Sequence, residues 1–102
     1  MVKHIIIWTL KEELSAEEKS VIKRNIKTNL EALVGIIDGL ISVNVQIENL
    51  SSSNGDIMLD STFENEEALK AYAIHPEHIA VADRDVRPFT SIRSCVDFVI
   101  AK

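Results

Sequence analysis

Two segments of this 102-residue chain are apolar on both sides, and that constrains the fold more than any other feature. Val2 to Leu10 is rich in β-branched and aromatic residues and reads as a strand. Alternate side chains of a strand point to opposite faces. Ile5 and Ile7 therefore oppose Ile6, Trp8 and Leu10. The last segment, Thr90 to Ile100, repeats the pattern, with Val96, Phe98 and Ile100 on one side and Arg93, Cys95, Asp97 and Val99 on the other. A strand of this kind is buried on both faces. One layer of helices covers only one face of a sheet. An apolar patch of more than a few hundred Å² marks an interface, and covering it is worth ~25 cal/mol per Å². The simplest cover is a second copy, sheet against sheet, as a two-fold homodimer through the open sheet face. The competing cover is the long loop from His75 to Phe89.

The segments between supply the rest of the fold. Ser15 and Glu18 form a capping-box pair, and Ile22, Ile26, Leu30, Leu33 and Ile37 recur at helical spacing, with Val21 and Val34 widening the stripe. Gly35 and Gly39 are candidate terminators, so the helix is predicted to run about twenty residues, roughly 30 Å. Leu40 to Leu50 is a second strand with Ile41, Val43, Val45 and Ile47 on one face. A serine-rich turn over 51–56 leads into a third strand, Ile57 to Phe63, and the short connection predicts an antiparallel hairpin. Glu64 to Ala73 is a second helix with an acidic start. Pro76 ends it near His75; Glu77 to Val86 is a short helix or a run of turns. Strand, helix, strand, strand, helix, strand is satisfied by an α+β fold of ferredoxin-like type, a four-stranded antiparallel sheet with helices on one face, in a single domain over 1–102.

Several functions are excluded at this level. The net charge is −5, from 16 acidic and 11 basic residues. The one basic cluster, Lys19, Lys23, Arg24 and Lys27, is interleaved with acids, so no nucleic acid is expected. Cys95 is the only cysteine, which rules out an internal disulfide. The first residues lack the marks of a signal peptide, and no stretch approaches the ~20 apolar residues of a bilayer span. The expected location is the cytoplasm, with no membrane partner. Phosphate loops, nucleotide fingerprints and the serine-hydrolase elbow are missing, so phosphoryl transfer and nicotinamide chemistry are not expected.

Chemistry concentrates in Tyr72-Ala73-Ile74-His75-Pro76-Glu77-His78, a phenol, two of the three imidazoles and a carboxylate in seven residues. A neutral imidazole accepts a proton near pH 7 and its conjugate acid returns it. A phenol donates a hydrogen bond to a developing oxyanion. Tyr72 and His78 are thus a candidate acid/base pair for enolisation, aldol closure or lactonisation of a small carbonyl compound. The competing reading is a half-buried helix tyrosine and a turn-capping histidine. His4 shares a strand face with Ile6, Trp8 and Leu10, so His4, Trp8 and His75 are candidate pocket residues for a small hydrophobic ligand. His4 can equally be a core histidine bonded to a backbone carbonyl. His75-x-x-His78 with Glu77 is a weak metal signal, which Cys95 and His4 complete only if the fold brings them together; no metal site is assigned. Asp60 and Asp97 need partners if buried, for which Arg93 or Arg87 serves, and Cys95 reads as buried and inert.

The chain resembles the stress-responsive A/B barrel (Dabb) family. The resemblance rests on Val2-Lys3-His4-Ile5-Ile6-Ile7-Trp8, Gly39-Leu40, Thr62-Phe63, Ala68 through His78, Val86-Arg87-Pro88 and Cys95-Val96-Asp97-Phe98. It implies a ferredoxin-like protomer whose sheet packs on its twin in a dimeric α+β barrel. A plant polyketide cyclase belongs to the same family, and its acid/base tyrosine and histidine match Tyr72 and His78, its first-strand histidine His4. A further pocket histidine of that enzyme matches Ile57 here, a departure from the pattern. Three functional readings follow: a binder of a small hydrophobic carbonyl or aromatic compound, a cyclase-like acid/base enzyme, and a stress-associated dimer with structural histidines. A heme- or flavin-linked monooxygenase of similar shape has no supporting residue, and no cofactor is expected.

Overall fold

The computed structural model describes residues 1–100. The elements are β1 (Val2–Leu10), α1 (Ala16–Glu31), β2 (Leu40–Gln46), β3 (Ile57–Phe63), α2 (Glu66–Ala73), α3 (Pro76–Val81) and β4 (Thr90–Val99). A turn of π-helix over Ala82–Val86 and a 3₁₀ turn over Arg87–Phe89 join α3 to β4. The strands form one antiparallel sheet in the order β2-β3-β1-β4. This is the ferredoxin-like α+β arrangement.

Register fixes which side chains share a face. His4 lies opposite Asp97, Ile6 opposite Cys95 and Trp8 opposite Arg93. On β3, Ser61 lies opposite His4 and Leu59 opposite Ile6. Val2, His4, Ile6, Trp8 and Leu10 are all buried, and their apolar members join Ile26, Leu30, Val45, Leu59 and Phe63 in one core beneath the helices. The opposite face holds Ile5, Ile7, Val96, Phe98 and Ile92; Ile7 and Phe98 are each 44% exposed and Val96 60%. The segment from His75 to Phe89 does not cover that face. Its π-helical turn and α3 pack on α1, on the helical side of the sheet.

Three local expectations are corrected. First, α1 is 16 residues, not about twenty. Ala32 caps it, and the chain turns through 32–38 so that Leu33 and Ile37 still reach the core while Val34 and Val21 remain exposed. Second, β2 ends at Gln46, and a register shift between Leu40 and Ser42 turns Ile41 outward. The bulge seats Leu40 in the core instead. Third, α2 starts at Glu66, because Asn65 is its N-cap and accepts the Ala68 N–H at 2.9 Å.

The capping box of α1 is formed as read: the Ser15 hydroxyl accepts the Glu18 N–H at 3.1 Å, and Glu18 accepts the Ser15 N–H at 2.8 Å. Ser15→Ala is expected to cost about 1 kcal/mol, measured as a shift of the urea midpoint at unchanged slope. At its other end α1 guards an edge strand. Lys27 donates to the Val45 carbonyl at 2.8 Å, and Glu31 accepts the Val45 N–H at 2.9 Å. The outward backbone groups of β2 are thereby closed to a further strand at that point.

Candidate functional site: a Tyr-His cavity beneath the helices

Two backbone devices place the phenol and imidazole together. Gly39 has φ +82°, and a Cβ built there would stand 2.5 Å from the Cβ of Ala68. That glycine lets α2 settle onto the sheet, and its carbonyl accepts the Glu64 N–H at 2.9 Å just before the helix begins. Tyr72 projects from the last turn of α2 and is almost wholly buried. Then His75 stops one helix and starts the next. Its Nδ1 accepts the Glu77 N–H at 3.1 Å, and Pro76 takes the first helical position. This cap carries His78 back over Tyr72, with ring centroids 4.1 Å apart and planes tilted by 33°.

The aromatic cluster continues inward. Phe63 meets Tyr72 edge to face at 5.0 Å, and His4 meets it at 6.3 Å. Against these rings lies a cavity of about 140 Å³ whose lining includes His4, Trp8, Leu69, Tyr72, His78 and Arg93. It shares His4, Leu69, Ala73 and Arg93 with an adjoining open groove of about 560 Å³ along the β4 edge, where Cys95, Asp97 and Lys70 also stand.

Burial sets the protonation states. The Tyr72 phenol is pushed up to about 12 by loss of water, so it stays protonated and can only donate or accept hydrogen bonds. His78 is shifted down, chiefly by burial; the Ala73 backbone opposes this, while the charges of Arg87, His4 and Arg93 add to it. Its imidazole is therefore neutral at pH 7. Nδ1 of His78 is buried and meets no partner at full hydrogen-bond geometry among the described residues, so the Ala73 backbone leaves it at best weakly satisfied. Leaving such an atom unsatisfied costs about 1–3 kcal/mol. His4 is tied differently. Its Nδ1 lies 2.5 Å from Oδ1 of Asp97, and no backbone carbonyl is needed to hold it.

The sequence-derived candidates divide accordingly. Tyr72, His78, His4 and Trp8 meet at one cavity. His75 does not line it; its ring is spent on capping α3, which corrects its expected place in the pocket. In the His75-x-x-His78 pattern, the first imidazole has its Nδ1 turned to a backbone amide. His4 and Cys95 do come together, but with Asp97 rather than with those histidines. Arg87 and Arg93 are not the partners of the strand aspartates. Lys3 bonds Asp60 at 2.8 Å, Arg87 pairs with Asp83, and Asp97 faces His4. Cys95 is exposed in the protomer rather than buried, and its thiol is raised by partial desolvation and by Asp97. Sequence reasoning undervalued Arg93 and Asp97. Both sit on β4, and only the β1–β4 register shows that they stand beside Trp8 and His4.

Comparison with known proteins agrees with this architecture. The family model described as the stress responsive A/B barrel domain, Dabb, matches residues 2–100. A dimeric ferredoxin-like protein of unknown function from Bacteroides fragilis superposes with a TM-score of 0.91 at 32% identity, over 97% of this chain and 95% of that one. A Dabb family protein with a ferredoxin-like fold from Mesorhizobium loti gives 0.76 at 16% identity, over 99% and 97%. The hydroxynitrile lyase of Passiflora edulis gives 0.78 at 15% identity, over 99% and 94%. These last two show a common fold alone. The comparison with curated proteins found no match.

Proposed function

The chain belongs to the stress-responsive A/B barrel domain family, and from that premise we propose that it binds a small hydrophobic carbonyl or aromatic compound against Tyr72 and His78, as one half of a homodimer. The observation that carries this is geometric: Tyr72 and His78 meet face to face, with ring centroids 4.1 Å apart, at the wall of one cavity, the phenol protonated and Nδ1 of His78 buried. A ligand hydroxyl donating to an unprotonated Nδ1 would give that buried atom a full hydrogen bond. The cavity limits what can enter. At about 140 Å³ the cavity is smaller than the ~300 Å³ cleft expected of a drug-sized binding site, and close to the size of an apolar cavity that holds one benzene ring. The ligand is then a single ring with one polar substituent inside and any longer chain lying in the neighbouring groove.

The same pair suits acid/base work on such a ligand. The Tyr72 hydroxyl donates to the carbonyl oxygen, while neutral His78 takes a proton from the adjacent carbon; the electron pair of that C–H bond moves onto the oxygen, and the enolate so formed is held by the phenol. No covalent intermediate is involved. Dimerisation rests on a separate observation, the exposed apolar face bearing Ile7, Ile92, Val96 and Phe98. The homologue from Bacteroides fragilis, also ferredoxin-like, is dimeric.

Titration with benzaldehyde and with 4-hydroxyacetophenone, followed by amide NMR, tests the binding step. Shifts are expected at Leu69, Tyr72, Ala73 and His78, with little change in affinity from pH 8 to about 7, because burial holds the imidazole below its ordinary value and so mainly neutral there. Tyr72→Phe keeps the ring packing and is expected to lose about tenfold in affinity, the worth of one hydrogen bond. His78→Ala is expected to abolish any turnover and spare the fold. Loss of about 2 kcal/mol or more in His78→Ala, with no perturbation of the parent by either compound, would assign these rings to the core instead.

A further inference from the structure

The His4, Cys95 and Asp97 side chains form a second constellation, which the acid/base reading does not use. Their donor atoms all lie within 4.8 Å of one another. Sγ of Cys95 is 3.4 Å from Oδ1 of Asp97 and 3.8 Å from Nδ1 of His4, and Nδ1 is 2.5 Å from Oδ1. We propose that this cluster is a three-ligand site for a divalent cation of the zinc class, with its fourth position open to the groove along the β4 edge.

The geometry can be checked against the metal. Tetrahedral zinc, with bonds of about 2.3 Å to sulfur and about 2.0–2.2 Å to nitrogen and oxygen, sets ligand atoms about 3.6 Å apart for S···N or S···O and about 3.4 Å for N···O. Both sulfur separations already stand within a few tenths of an ångström of that. Only the His4–Asp97 pair is too close, because it is a hydrogen bond. A cation would replace the shared proton and push the two atoms apart by about 0.9 Å. Asp97 can yield that distance, since its side chain is half-exposed on an edge strand, while His4 is fixed in the core.

The ligand types fit together as well. One imidazole, one thiolate and one carboxylate bring two negative charges to a dication, and the mixed soft and hard set favours zinc or cobalt over calcium or magnesium. A thiolate ligand must give up its proton, so binding releases one proton at Cys95. Arg93 and Lys70 line the same groove and oppose the cation, but they suit an anionic group that completes the coordination. The strand register builds the site: His4 and Asp97 are cross-strand partners, and Cys95 is two residues along on the same face.

Cobalt(II) titration under a phosphine reductant tests this without reference to any small-molecule activity. Binding is expected to saturate near one cobalt per chain, with a thiolate-to-cobalt charge-transfer band in the near ultraviolet and visible bands of four-coordinate intensity. Zinc should displace it. Cys95→Ser is at an exposed position and should remove the charge-transfer band, and Asp97→Asn should weaken binding by about 10–100-fold or more. His75→Ala should leave the spectrum unchanged. No charge-transfer band in excess cobalt, or a band that survives Cys95→Ser, overturns the site. Because His78 and Tyr72 take no part, failure here leaves the ring-binding test untouched, and failure there leaves this one.

Discussion

Val96→Glu combined with Phe98→Glu is expected to convert the protein from a species of about 23 kDa, twice the 11.4 kDa chain, to one of chain mass. Both residues stand on the open face of β4, beside Ile5 and Lys3 of β1. Each 100 Å² of apolar surface covered there contributes about 2.5 kcal/mol. The substitutions remove two of the largest contributors. They also oblige a dimer to bury unpaired carboxylates in both copies, at several kcal/mol each. The protomer core lies on the other side of the sheet, so far-ultraviolet dichroism should be preserved. Sedimentation at low micromolar concentration reads the result. A parent that already sediments at 11.4 kDa under those conditions, or a double variant that still pairs, would mean that this face is not the interface.

Gly39→Val is expected to be the most destabilising single change, by about 3 kcal/mol or more. A residue with a Cβ at φ +82° meets a left-handed penalty of about 1–2 kcal/mol, and the collision with Ala68 adds about 1–3 kcal/mol of overpacking. At about 4–8 °C per kcal/mol for a domain of this size, Tm should fall by more than ten degrees. Gly35 supplies the control. Its φ is +88°, but a Cβ there meets nothing within 4 Å, so Gly35→Ala should lose only the conformational share. Equal losses at both positions would show that the close approach of α2 to Gly39 has no energetic weight. Because that approach seats the helix carrying Tyr72, Gly39→Val should also weaken ring binding in whatever fraction remains folded.

Much of the fold was legible because local patterns and the global solution agree. The Ser15–Glu18 box, the stripe Ile22-Ile26-Leu30 and the run Ile57–Phe63 each specify an element without help from elsewhere. The boundaries that moved did so for tertiary reasons. A bulge turned Ile41 out so that Leu40 could fill the core, and the chain after Glu31 abandoned the helix because turns deliver Leu33 and Ile37 to the sheet. The candidate site was legible only where its parts are close in sequence. Tyr72 and His78 are six residues apart, a separation that a helix end and a turn bring together. His75 looked equally suited, and nothing in its neighbours' spacing told that its ring would be consumed by the Glu77 amide.

By itself, then, the order of residues determined the strand–helix alternation, the two-sided apolar strands and the proximity of phenol to imidazole, since each depends on periodicity or short separations along the chain. Tertiary structure decided that His4 meets Asp97 and Cys95 across 91 to 93 residues, that Arg93 faces the cavity, and that the cavity measures about 140 Å³. Those depend on strand register, and a shift of one residue would have turned every β4 side chain to the other face. Register is fixed by the summed packing of the whole core, a quantity no local window of sequence contains.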